Sequence, residues 1–405
     1  MAGESPLNLM RPDLSRMRRD RAAAGGASAR GRLLRAGLAV VATIVVLAAG
    51  WCGLWYYAAA VADRTAAGWV AREAAAGRDY RCGSQDISGF PFRIQVHCVE
   101  AAAALDSIQP PFAVAAKDVT FTAQLYRPTV LVGDVTGPLT VAAPGQPPSF
   151  VATWSLARMS VSGLPPNPDA LSLNIERPHL DRGTGANAAI LFAADDIDLQ
   201  ARVVGGTAAN HPVIDAVLHF ASATAPTVHP LLTQPLQGDV EMVVRGFTDL
   251  APKSFAERFR EMRAAGGSIE IKSLRIVRAD AVVVGAGTLT VSAQGRLDGI
   301  IRIAVSGIEN IVPQMGIDQL IAQGIERLTG ANGQPGQGLS ALDRLLPGLS
   351  GVVRQEANAS VVDNLKKMGQ PTQIDENPAI ALPLRFSDGA VYLGMIRIGQ
   401  VPALF

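Results

Sequence analysis

Lysine is scarce in this chain. It numbers five against 31 arginines, and the 405 residues include only five histidines, three cysteines and 5% aromatics. Each scarcity excludes something. The histidines are His97, His179, His211, His219 and His229; the last three stand 8 and 10 residues apart, unlike a helical ligand pair, and HExxH is absent. The cysteines form neither CxxC nor a zinc-ligand pattern. Asp195, Asp196 and Asp198 lack the sixth-position glycine and terminal glutamate of a calcium loop, so they read as the wet face of a strand. Gly285-x-Gly287 lacks the third glycine and following helix of a dinucleotide fingerprint. There is no G-x-S-x-G elbow and no Walker loop. No residue is nominated as catalytic, cofactor-binding or metal-ligating, and the expectation is a protein that is not an enzyme and needs no cofactor. Formal charge is +1, so no basic field is available to hold nucleic acid.

Charge is also missing from one long stretch. Ala36 to Ala62 runs 27 residues without a charged side chain. A bilayer core about 30 Å thick needs roughly 20 helical residues. Residues 1–35 carry eight arginines against Glu4, Asp13 and Asp20. Basic flanks stay on the cytoplasmic side. Trp51, Trp55, Tyr56 and Tyr57 gather towards the other end, as amphipathic rings do at a membrane–water interface. The reading is a cytoplasmic basic segment (1–35), a transmembrane helix (36–60), a juxtamembrane helix (61–79) and an exported domain (80–405). The apolar core exceeds the 7–15 residues of a signal peptide, although Ala-x-Ala triplets at 58–60 and 60–62 keep cleavage open. Cys52 follows Trp51 where lipid attachment needs a small residue, so it reads as a membrane-buried thiol. The arginine-rich, Ala-, Gly- and Pro-rich composition suits a GC-rich bacterium, which makes the exported side the periplasm and the membrane the inner membrane.

Cys82 and Cys98 bracket CGSQDISGFPFRIQVHC. Ile94, Val96 and Cys98 alternate with Arg93, Gln95 and His97, a strand period. Folding the segment about residue 90 places Cys82 opposite Cys98 and predicts a disulfide, which persists outside the cytoplasm. The turn Gly89-Phe90-Pro91-Phe92-Arg93 is its structural motif.

From residue 80 the chain reads as β. Alternating runs occupy 112–125, 170–180, 188–204, 213–222, 239–247, 268–307 and 381–405, punctuated by Gly, Pro and Asp. Gly285–Gly287, Gln294–Arg296 and Ser387–Gly389 read as hairpin turns. Helices are expected over 254–267, with Phe255, Phe259 and Met262 on one face, and over 316–330; 331–338 reads as a linker and 339–368 as helical pieces. Residues 175–182 and 258–263 read as solvated faces, and the apolar terminus VPALF as a segment that tucks onto a sheet edge or caps a groove. Four tetrapeptides share one shape: Ile87–Phe90, Val161–Leu164, Val244–Phe247 and Val305–Ile308. Their intervals of 74, 83 and 61 residues are too irregular for a short-unit solenoid. At about 340 residues the exported part should split or elongate. The fold class is therefore a β-rich α+β chain: an N-terminal transmembrane helix, then an elongated, largely antiparallel curled β-sheet with a few helices, with two modules meeting near 250.

The order span, Gly68-Trp69, Cys82, ISGFPFRIQVHC and the closing LPLRFSDGAVYLGMIRIGQVPALF resembles the bacterial domain of unknown function 2125 family. The Gly89–Arg93 core and the Asp-Gly…Leu-Gly…Pro pattern of 388–402 carry the resemblance, which covers roughly 60–405. It implies a membrane-anchored, periplasmic, β-rich protein and brings no chemistry with it. More distantly, a span followed by strands with Ser-Gly-x-Pro turns is similar to AsmA-type envelope proteins, implicated in phospholipid movement. The expectation is a single-span membrane protein that binds or senses lipid in envelope maintenance. The alternatives are a tethered scaffold or assembly factor with an envelope protein partner, and a periplasmic hydrolase.

Overall fold

The computed structural model describes residues 14–311 and 362–405, apart from 109, 165, 166, 186, 187, 252 and 280. The expected helix 316–330, the linker 331–338 and most of 339–368 lie outside the described residues. The chain divides into two units, the first ending at Ala62 and the second running from Asp63 to Phe405.

Helix α1 (Leu14–Ala75) carries the apolar stretch. From Leu34 to Ala75 it is long and apolar enough to cross a membrane once, with a mean hydropathy of 2.2 in its best window. Its large apolar side chains, such as Leu38, Val46 and Leu47, are exposed. A helix apolar all round is stable only when something apolar surrounds it.

The second unit is one continuous antiparallel sheet holding all twenty described strands. They are β1 (Arg78–Arg81), β2 (Ser84–Ser88), β3 (Arg93–Leu105), β4 (Phe112–Gln124), β5 (Arg127–Ala142), β6 (Phe150–Thr153), β7 (Leu156–Ser162), β8 (Ala170–Glu176), β9 (His179–Arg182) and β10 (Ala189–Ala193). Then follow β11 (Asp196–Thr207), β12 (Asn210–Ala223), β13 (Leu236–Arg245), β14 (Ser268–Arg278), β15 (Ala281–Val291), β16 (Leu297–Ser306), β17 (Gln370–Ile374), β18 (Asn377–Ser387), β19 (Ala390–Leu393) and β20 (Ile396–Gln400). Most consecutive strands pair with each other, as in a meander. The sheet is not closed. Because neighbours alternate in direction, β2, β4, β7, β11 and β13 all end at one margin.

Two expected runs break, and one expected turn does not form. The 170–180 run splits at Arg177, whose φ is 48°, and Pro178 into β8 and β9. The 188–204 run splits at Ala194–Asp195 into β10 and β11, and β6 and β7 are interrupted beside them. Gly285–Gly287 is not a turn; it lies inside β15, where a Cβ on Gly287 would stand 2.2 Å from the Ile300 carbonyl oxygen. Glycine here admits the neighbouring backbone rather than reversing the chain. The Gln294–Arg296 and Ser387–Gly389 turns are formed as read, the latter with Asp388 and Gly389 both at positive φ.

Helix α2 (Phe255–Ala264) begins at Ser254 with a reciprocal capping box to Glu257. It buries Met262, 1% exposed, but leaves Phe255 out in solvent. Behind it Glu261 is 11% exposed. Burial works against its charge, yet hydrogen bonds from the Thr248 hydroxyl and amide, with Lys253 3.2 Å away, outweigh that and hold it at about 2. Arg258 reaches the same carboxylate at 3.1 Å, so the charges clamp the β13–α2 connection. Helix α3 (Ile308–Ile311) and a helix over 362–368 close the C-terminal end of the sheet. Their Ile308 and Leu365 join Leu289, Ile301, Ile303, Val305, Leu382 and Leu393 in the main core. The terminus tucks onto the β15–β16 turn: the Leu404 amide bonds the Gly295 carbonyl at 2.7 Å, and Arg260 lies 5.1 Å from the Phe405 ring centre.

Candidate functional site

Alternation along each strand, combined with the registers, gives the sheet two unlike faces. One transverse row runs Ile87, Val96, Phe121, Gly133, Met159, Leu173 and Leu199. It continues through Leu218, Val240, Leu274, Gly285, Ile303 and Leu382. No member is polar. Gly133 leaves room for its neighbours, since a Cβ there would meet the Phe121 ring at 3.3 Å and Met159 at 3.9 Å.

One residue along each strand lies the opposite face. Its row runs Asp86, His97, Thr120, Asp134, Arg158, Asn174, Asp198, His219, Asp239 and Arg275. These groups bond across strands: Arg158 to Asp134 at 2.7 Å, His219 to Asp239 at 2.8 Å, Asn174 to Asp196 at 3.1 Å. His97, 3.4 Å from Asp118, and His219 thus serve as cross-strand partners, while His179 lies 3.1 Å from Asp181 within β9 and His229 accepts the Leu231 amide. Among the described residues no group of three or more potential ligands could hold a metal. A cleft of about 340 Å³ dents this face, lined by Ser160, Ser162, Ser172, Gln200, Arg202 and Asp215. Its polar atoms largely bond one another: Ser160 to Ser172 at 3.0 Å, and Arg202 to Asp215 at 3.0 Å. Hydrogen bonding by Arg202, reinforced by Lys272, holds the Asp215 carboxyl below its usual range.

The apolar face is covered unequally. Ile303 and Leu382 are 8% and 2% exposed beneath the C-terminal helices. Leu173, Leu199, Leu218 and Val240 are only half-buried, and Phe121 and Met159 are more than a third exposed. From Val96 to Val240 the row crosses eight strands, about 34 Å at 4.8 Å per strand. The sequence showed each strand's alternation but not this row, because a common face appears only once registers are known.

The predicted cysteine pair is joined: Cys82 and Cys98 form a disulfide with Cα atoms 5.5 Å apart. The register differs from the expected one. Cys98 opposes Gln85, and Cys82 sits in the break between β1 and β2. The cause is the turn. Gly89 stands at φ 101°, the Arg93 amide bonds the Gly89 carbonyl at 3.1 Å, and the reversal takes four residues rather than pivoting on Phe90. The Phe92 carbonyl accepts the Leu125 amide at 3.0 Å, which ties this turn to the next one. Phe90 and Phe92 point outward.

The four tetrapeptides now have a structural meaning. Ser88, Ser162, Arg245 and Ser306 are each the last residue of a strand, and Gly89, Gly163, Gly246 and Gly307 each follow at positive φ. Only glycine enters that region without a steric penalty. A Cβ on Gly246 would come within 2.5 Å of Gly267.

A profile of an uncharacterized protein conserved in bacteria, DUF2125, matches residues 55–402. The chain belongs to this family. The DUF2125 match takes in every strand from β1 to β20, so both faces of the sheet and the disulfide lie within it. No curated protein matches the chain.

Proposed function

We propose that this DUF2125 protein is anchored in the bacterial inner membrane by α1, holds its sheet in the periplasm, and binds lipid acyl chains on the apolar face without catalysing a reaction. The observation that carries this is the thirteen-strand apolar row, closed by helices at its C-terminal end and only partly buried elsewhere. A large exposed apolar surface on a soluble unit signals a partner. Acyl chains suit a long, featureless strip, because each buried methylene is worth about 0.8 kcal/mol with no directional demand. The arginines before the span favour a cytoplasmic N-terminus. The Cys82–Cys98 bond fits an oxidising compartment.

Residues 63–405 form a compact unit of their own, which makes this segment the one to export and purify. Native mass spectrometry is expected to show it carrying phospholipid. Leu199→Asp, which sets a charge in the middle of the strip, is expected to remove most of that added mass. A protein-only mass for the unsubstituted segment contradicts the reading.

A further inference from the structure

Arginines on the strands of this sheet are mostly answered by a nearby carboxylate. Arg158 meets Asp134 at 2.7 Å, Arg202 meets Asp215 at 3.0 Å and Arg245 meets Glu270 at 2.6 Å, while Arg275 pairs with Asp375. Three that lie together break this pattern. Arg302 on β16, Arg385 on β18 and Arg397 on β20 are exposed, and none forms an ion pair among the described residues.

The registers set these three on one face. Arg385 stands between Ile300 of β16 and Tyr392 of β19, and Tyr392 in turn opposes Arg397. Arg302 is two residues along β16 from Ile300, so it lies diagonal to Arg385, about 7–8 Å away. Arg385 and Arg397 are two strand spacings apart, about 10 Å. The adjacent Ile301, Ile303, Leu384 and Ile398 pack in the main core, so the arginines point the other way. The Arg385 guanidinium lies 5.0 Å from the Tyr392 ring centre. Resting on a ring leaves the N–H groups at the edge of the fork available. Arg397 donates to the Gln400 side chain at 3.0 Å, and beside it a Cβ on Gly399 would meet nothing within 4 Å. The nearest carboxylate on this face by register is the exposed Asp298, two residues before Ile300. Three cations against one anion leave positive charge in excess. Like charges on neighbouring strands repel, and an anion seated among them relieves that repulsion.

We propose that Arg302, Arg385 and Arg397 form a binding site for a ligand carrying two phosphate groups. Guanidinium forks take phosphate oxygens in pairs. The spread of the three is wider than one phosphate and suits two, with Arg385 between them and Arg302 and Arg397 on the outer sides. The paired phosphates belong either to a soluble bisphosphate or to a lipid headgroup that carries two. The site lies on the face opposite the apolar row, so it does not depend on acyl chains lying there.

The test titrates the full chain in neutral detergent micelles with inorganic pyrophosphate and, separately, with cardiolipin doped into the micelles, read by calorimetry. Saturable binding of one probe or both is expected, and Arg385→Gln should weaken it about tenfold or more, the scale of one charge-assisted contact. Arg385→Lys, which keeps the charge without the fork, should recover only part of the loss. Arg127→Gln removes an exposed arginine on β5, far along the sheet, and should leave binding unchanged. Asp298→Asn removes the opposing charge and should tighten binding about threefold, a gain that a misfolded variant cannot give. Pyrophosphate binding that Arg385→Gln weakens assigns a soluble ligand; such binding confined to cardiolipin assigns a headgroup. No saturable binding of either probe, an unchanged affinity in Arg385→Gln, or an equal loss in Arg127→Gln overturns the site and leaves the phospholipid-mass result standing.

Discussion

Reducing the Cys82–Cys98 bond, or replacing both cysteines with alanine, is expected to destabilise the first three strands by about 3 kcal/mol, the chain-entropy value for a loop of this size. The bond spans 16 residues and joins the β1–β2 break to β3 at an edge of the sheet. β1 and β2 are four and five residues long, and neither alone is a durable edge. In a meander, each strand answers mainly to its neighbours, so the loss is concentrated locally. Hydrogen exchange of the β2 and β3 amides is expected to accelerate about a hundredfold, since each 1.4 kcal/mol is tenfold. Exchange at β15 and β16 should hardly change. Equal rates in the oxidised and reduced protein contradict the role assigned to this bond.

Leu382→Ala and Leu173→Ala are the same chemical change on the same apolar face, yet their costs are expected to differ severalfold. Leu382 is 2% exposed and packed in the core closed by Ile308 and Leu365. Emptying a site of that kind costs about 2–5 kcal/mol, because lost burial is compounded by a cavity. Leu173 is half-buried with water within reach. Its truncation removes only part of that burial and leaves no closed void, so about 1 kcal/mol is expected. Urea denaturation of the two variants measures the difference. Matching losses mean that both ends of the face are equally covered, and the open strip would not exist.

Much of this architecture was legible in the chain. The long apolar helix, the β-rich remainder, the α2 helix with its serine cap and the Ser387–Gly389 hairpin all follow from patterns that depend on nearby residues. What escaped depends on distant ones. β5 holds Pro128, Gly133, Gly137 and Pro138 and lies outside every alternating run read from the sequence, yet it is a sixteen-residue strand. Gly133 is there because Phe121 and Met159 converge over it from the flanking strands. Gly285 and Gly287 misled in the same way, since the crowding they relieve comes from β16. The cysteine pairing was readable from spacing, but its register was set by a four-residue turn. The exposure of Phe255 was invisible because helical periodicity places it beside Phe259 and Met262, whereas only Met262 reaches the core.

Asp198 and Leu199 are adjacent in β11 and lie on opposite faces, which makes them the most direct test of a two-faced sheet with a lipid-accepting side. A photoreactive benzophenone residue is placed at each position in the full chain, and cells are irradiated before purification and mass analysis. A phospholipid adduct at 199 and none at 198 is the predicted result. Lipid adducts of similar yield at both positions, or at neither, contradict it.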